Sequence, residues 1–125
     1  MSTSKKLKIQ AEQDETFIKE GKKAFEEKDY RKALALFLKA LEQSPNDPER
    51  LVKVGIAYYK NREYDNAIKY YSQALEHLPK DRDLLYTLGL IHVKAGNKSQ
   101  ALSIYDKLKK IHVEKAEDLY KAIYA

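Results

Sequence analysis

Cysteine is absent from the chain, which removes disulfides, thiolate metal sites and cysteine nucleophiles together. Three prolines and four glycines in 125 residues are too few for a sheet-and-turn protein with many tight corners. No apolar run exceeds a few residues, so no segment is long enough to span a bilayer. The opening stretch has no apolar core behind its lysines and does not read as a secretory signal, which makes the cytoplasm the expected compartment. Arginine is scarce and scattered: four of the 24 basic residues. Duplex-binding domains cluster Lys and Arg on one face, with Arg prominent. A net charge of +5 with 19 interspersed acidic residues permits attraction to acidic partners and makes nucleic acid an unfavoured third reading.

Catalytic inventories are also missing. His77, His92 and His112 have no i, i+3 or i+4 partner for a metal site. His92 falls on an apolar helix face and reads as a hydrogen-bonded core histidine. No Gly-rich phosphate loop, nucleophile elbow or paired-carboxylate motif occurs. Glu26-Glu27 and Glu117-Asp118 are sequence neighbours that diverge on a helix and read as solvated charge. No enzyme activity, cofactor or metal is expected.

What is present is a repeat. Gly21, Gly55 and Gly89 lie 34 residues apart, as do Ala33, Ala67 and Ala101, and Leu34, Ile68 and Leu102. Phe37, Tyr71 and Tyr105 keep the interval, and Ala40 and Ala74 continue it with Leu108 in third place. Pro45 and Pro79 close two units, where Val113 stands in the third. Each unit reads as two helices. Asp47-Pro48-Glu49 is a helix start, with Asp positioned to cap and Pro suited to the first turn. Leu51, Val54, Gly55 and Tyr58 then form one apolar face. Asn61-Arg62-Glu63 breaks the pattern, and Ala67, Ile68, Tyr71, Ala74 and Leu75 mark a second helix over about Tyr64 to His77. Gly55 and Ala67 let the paired helices approach, and Tyr71 fills the adjacent gap.

This pattern resembles the tetratricopeptide repeat, a 34-residue helix-turn-helix with Gly, Ala, Tyr or Phe, Ala and Pro at fixed offsets. The resemblance covers units 14–47, 48–81 and 82–115 and implies an all-α, right-handed superhelical stack of about seven helices in one domain. Residues 116–125 read as a capping helix that covers the last seam, with Leu119, Ala122 and Ile123 on one face. Residues 1–13 are polar and basic and read as a tail or as a backward extension of the first helix. Gly21, Gly55 and Gly89 are expected at equivalent helix contacts.

A second apolar stripe runs along the first helix of each unit. Val52, Ile56 and Tyr59 recur one unit later as Tyr86, Leu90 and Val93, and one unit earlier as Ile18, Lys22 and Phe25. A single-faced helix would carry charge there. The resemblance implies that these offsets line a concave peptide groove, flanked by Lys19, Lys53, Lys60 and Lys94. An alternative assigns part of the stripe to packing between first helices. Glu15, Glu49 and Asp83 form an acidic row at helix starts, where the helix dipole favours carboxylates. Family members that grip a chaperone's C-terminal carboxylate use Lys and Asn residues plus an Arg. The corresponding positions here are Ile18, Lys22, Lys53, Asp83 and Thr87, so a heat-shock chaperone tail is not the expected ligand. The expected partner is another protein or peptide with apolar anchors and some acidic character, bound by a scaffold or adaptor. The alternative is a homodimer or other self-assembly through the same surface or the end seams.

Overall fold

The computed structural model describes residues 3–125, and positions 1 and 2 of the expected tail lie outside them. Among the described residues there are seven helices and no strand: α1 (Thr3–Glu26), α2 (Tyr30–Gln43), α3 (Pro48–Lys60), α4 (Tyr64–His77), α5 (Arg82–Lys94), α6 (Lys98–Lys109) and α7 (Val113–Ile123). They pair as α1 with α2, α3 with α4 and α5 with α6, each pair packing on the next, and α7 rests on both α5 and α6. This is an all-α helical repeat fold. One continuous core runs through it, with Ala33, Ala67, Leu51, Val54, Ile91 and Leu119 each at most 1% exposed.

The turn inside each unit is built three times from the same hydrogen bonds. Asp29 N–H donates to Ala24 O (2.9 Å), Glu63 N–H to Tyr58 O (2.9 Å) and Asn97 N–H to His92 O (2.8 Å). The residue before each donor sits in the left-handed region: Lys28 at φ 63°, Arg62 at φ 62° and Gly96 at φ 81°. This is a Schellman ending, which satisfies the last carbonyls of the first helix and turns the chain sharply. Between units, Asp47 and Asp81 cap the next helix, accepting from Glu49 N–H (3.0 Å), and from Asp83 N–H (3.0 Å) and Leu84 N–H (3.1 Å). These carboxylates satisfy donors that the first turn of a helix leaves orphaned.

The glycines explain how closely the pairs approach. A Cβ on Gly21 would stand 2.5 Å from Phe37 Cε1, and one on Gly55 would stand 2.7 Å from Tyr71 Cδ2. Both aromatic rings are 3% exposed, so they fill the space that the missing side chain leaves. Gly89 departs from this arrangement. Its Cβ would meet Leu119 Cδ2 of α7 at 2.6 Å, not Tyr105 of α6. Tyr105 instead packs on Tyr120 with ring centroids 5.3 Å apart. The reason lies in Leu108, fully buried where the other units carry Ala40 and Ala74. Its bulk occupies the inner face of α6, where Ile104 is buried beside it, and Tyr105 is half-buried at the edge of the core.

One further expectation is corrected. The capping helix starts at Val113, three residues before the expected boundary at 116. Val113 lacks a proline's punctuation, and His112 Nδ1 accepts from Lys115 N–H at 3.2 Å, starting the helix early. At the other end, the described part of residues 1–13 is helical and continuous with α1, with residues 3–13 all exposed. α1 is tied to the array further along, where Arg50 of α3 donates two 2.6 Å hydrogen bonds to the Asp14 carboxylate and one of 2.7 Å to Ala40 O. The hydrogen bond to Asp14 is the main reason the Arg50 pKa is raised, against the opposing effect of its burial.

Candidate functional site

The second stripe lies on α1, α3 and α5, and most of it is half-buried. Phe25, Val52, Ile56, Tyr59, Tyr86, Leu90 and Val93 all pack against the core cluster. Ile18 is half-buried outside that cluster. The groove reading and the packing reading therefore meet in the same side chains, each giving one edge to the interior and one to solvent. Lys53 is half-buried, and Lys22, Lys60 and Lys94 are exposed. Lys60 and Lys94 end α3 and α5, where a cation suits the helix dipole.

Four of these residues converge. Lys22 and Phe25 of α1 face Lys53 and Ile56 of α3 across a cleft of about 190 Å³, with Phe37 of α2 and Glu26 of α1 completing its wall. Phe37 reaches this cleft because Gly21 has no side chain to hold its ring back. The result is an apolar floor bordered by the side chains of Lys22, Glu26 and Lys53. Glu26 and Phe37 were not among the sequence candidates. Glu26 reads as ordinary solvated charge, yet it stands one unit before Lys60 and two before Lys94, on the same helix face.

The two tyrosines of the stripe stand apart from the cleft. Tyr59 packs on Tyr64 with ring centroids 5.8 Å apart, just as Phe25 meets Tyr30 at 5.2 Å one unit earlier. Burial, and secondarily Tyr64, raise the Tyr59 pKa. Tyr86 lies beneath Lys115 of α7, whose ammonium is 4.9 Å from the ring centroid and 3.3 Å from Asp83 Oδ1. The third-unit end of the stripe, and one member of the acidic row, are thus engaged by the capping helix. Leu90 and Val93 lie further along α5.

A larger depression of about 350 Å³ lies along the turns at Arg62, Glu63, Tyr64, Asp65, Asn66 and Ala95. Its walls are mostly charged and amide side chains, so it lacks the apolar floor of the cleft. Among the described residues no group of three His, Asp or Glu is placed to hold a metal, and no helix is long and apolar enough to cross a membrane. His92 is buried, with Nδ1 3.3 Å from Asn97 Nδ2, and burial lowers its pKa. It is a core histidine.

No curated protein matches the sequence. Several solved structures match the fold. The TPR domain of Sgt2 from Aspergillus fumigatus is 22% identical, with a TM-score of 0.77 over 89% of this chain and 76% of that one. The TPR2B domain of yeast Sti1, in a complex with pHsp70, is 18% identical, with a TM-score of 0.79 over 90% of this chain and 96% of that one. The Yersinia enterocolitica type III secretion chaperone SycD, in complex with a peptide of the translocator YopD, is 15% identical, with a TM-score of 0.77 over 88% and 91%. At these identities the likeness is one of fold, and it does not separate this chain from proteins that hold heat-shock peptides. The family profile described as anaphase-promoting complex, cyclosome, subunit 3 matches residues 26–108. The chain belongs to that family and is a tetratricopeptide-repeat protein.

Proposed function

We propose that this protein is a non-catalytic scaffold or adaptor of the cytoplasm that holds a peptide segment of another protein against α1 and α3. The observation that carries the reading is the cleft in which Phe25, Phe37 and Ile56 form an apolar floor between Lys22 and Lys53. An apolar side chain of the ligand enters the floor and loses its contact with water, and carboxylates beside it meet the two lysines. Aromatic floors of this kind contribute large apolar area with little rotamer entropy to lose. Structural neighbours in complex with a YopD peptide and with pHsp70 support peptide capture on this fold.

The expected ligand differs from a chaperone tail. Ile18, Lys22, Lys53, Asp83 and Thr87 do not reproduce a carboxylate clamp, and Asp83 is paired with Lys115. Selection of binders from a randomised peptide display library tests both statements. Enriched sequences carry an apolar anchor beside Asp or Glu, and binding survives amidation of the peptide's C-terminus. Enrichment of peptides that require a free terminal carboxylate would overturn the second statement. Enrichment of basic sequences would overturn the first.

A further inference from the structure

The last helix turns a seam outward. Val113, Glu117, Tyr120 and Tyr124 follow one another at intervals of four, three and four residues, which confines them to an arc of about 60°. Val113, Tyr120 and Tyr124 are 58%, 47% and 52% exposed, and Glu117 is exposed between them. Ala116 and Leu119 hold the other side of α7 in the core. The outward rings are braced: Tyr120 lies 5.3 Å from Tyr105 and 4.7 Å from Tyr124, and Lys98 sits 4.3 Å over the Tyr124 ring. Side chains held in this way have little rotamer freedom left to lose when they are covered. Terminal elements of repeat arrays ordinarily turn a polar face outward. This one repeats the four-three spacing by which two helices pack along a shared seam.

The charges around the seam have no single sign. Glu114, Glu117 and Asp118 are exposed, and so are Lys98, Lys109 and Lys121. Lys98 and Lys109 belong to α6 and lie over the rings of Tyr124 and Tyr105. A uniformly acidic or uniformly basic partner would meet its own sign here. The order of charges along α7 is more informative. Glu114 and Lys121 each follow a seam residue, Val113 and Tyr120, and stand seven residues apart on one edge of the seam. In packed helix pairs this edge position is where charges meet across the contact.

We propose that α7 of one copy packs antiparallel on α7 of a second copy, about a two-fold axis at the middle of the seam. Reversing the helix sets Val113 against the second copy's Tyr124. It also sets Glu117 against the second copy's Tyr120, whose hydroxyl can donate to the carboxylate. The same reversal brings Glu114 beside Lys121 of the other copy, twice over. The occupant is a second copy because the seam is its own complement: one arrangement pairs apolar with apolar and carboxylate with ammonium at once. A two-fold contact uses the same patch on both copies and closes at a dimer. It uses neither Lys22 nor Lys53, and it stands or falls separately from the peptide-binding reading.

One short helix from each copy makes a small interface, so association is weak and is measured up to concentrations on the order of 100 µM. Sedimentation velocity of the full chain should show the average mass rising toward that of a dimer and not beyond it. Glu114→Lys and Lys121→Glu each weaken the dimer by roughly threefold or more, since each sets like charges against one another. Combining the two restores it, because the exchanged charges again meet their opposites. All these side chains are exposed, and circular dichroism checks that each variant is folded. Cysteine cross-linking reads the register independently, in a chain with no cysteine of its own. Val113→Cys mixed with Tyr124→Cys should give a disulfide between the two proteins. Val113→Cys alone should not, because the two copies of residue 113 are about 16 Å apart along the antiparallel pair, beyond disulfide reach. A chain that stays monomeric, mass that climbs past a dimer, failure of the double charge variant to recover, or cross-linking of Val113→Cys to itself as readily as to Tyr124→Cys would overturn the proposal.

Discussion

Leu119 of α7 closes over Gly89 of α5, with its Cδ2 2.6 Å from where a glycine side chain would begin. In the first two units the same place is taken by Phe37 and Tyr71 from within the unit. The third unit therefore borrows its closing side chain from the cap. Leu119 is fully buried, so Leu119→Ala should cost about 2–5 kcal/mol, the range for emptying a core leucine site. Because each unit leans on its neighbours, urea unfolding should show the loss across the array. An unchanged midpoint would mean that α7 is dispensable.

Arg50→Ala should destabilise by about 1.5–3 kcal/mol, since it removes charge-assisted bonds to Asp14 and leaves Ala40 O without this donor. The Arg50 and Asp14 side chains are 14% and 20% exposed, so solvent screens the pair only partly. Hydrogen exchange should report the loss mainly in α1, which this pair ties to α3. Uniform loosening of all helices would contradict that assignment.

The turn residues give a prediction free of packing effects. Gly96 has φ 81°, and a Cβ added there would meet nothing within 4 Å. Gly96→Ala therefore carries only the left-handed backbone cost of about 1 kcal/mol. Arg62 holds the equivalent conformation at φ 62°, and Arg62→Gly should be neutral to mildly stabilising. Thermal melts of the two variants should move apart. Equal shifts of both would contradict the shared turn.

Burial pushes the Tyr71 pKa from 10.0 up to about 12. The neutral phenol is favoured in the folded chain, so the unfolded chain loses its proton first as pH rises. Stability from this residue is fully present below pH 10 and is lost as pH climbs toward about 12, by roughly 2–3 kcal/mol. Tyr71→Phe should flatten that part of the pH profile. For His92 the sign is reversed. Its pKa is lowered by burial, so stability is present above the ordinary value of 6.5 and is lost as pH falls below it. The profile of His92→Gln should be flatter on the acid side.

Much of the fold is legible in the sequence because small residues repeat wherever helices touch. Gly21, Gly55, Ala33 and Ala67 mark contacts that only small side chains permit, and α4 spans Tyr64–His77 as its periodicity implies. The turn is less legible: Lys28, Arg62 and Gly96 share a conformation, not a residue type. The early start of α7 depends on a histidine cap, and Gly89's partner on how Leu108 occupies α6. For the candidate site, the sequence identifies the stripe but not which members converge. Lys22, Phe25, Lys53 and Ile56 meet across two units, whereas Tyr59 and Tyr86 are engaged by Tyr64 and Lys115. Those pairings join separate helices, which periodicity along one helix does not reveal.

The central claim is that the cleft between Lys22 and Lys53 holds an acidic, apolar-anchored peptide. The most direct test is titration of a fluorescent display-selected peptide into the native protein and into Lys22→Glu/Lys53→Glu, with circular dichroism confirming that both are folded. The account predicts that the double variant binds at least about tenfold more weakly, a difference of ~1.4 kcal/mol, and that rising salt weakens the native complex. Equal affinity in the two proteins, with both folded, would contradict it.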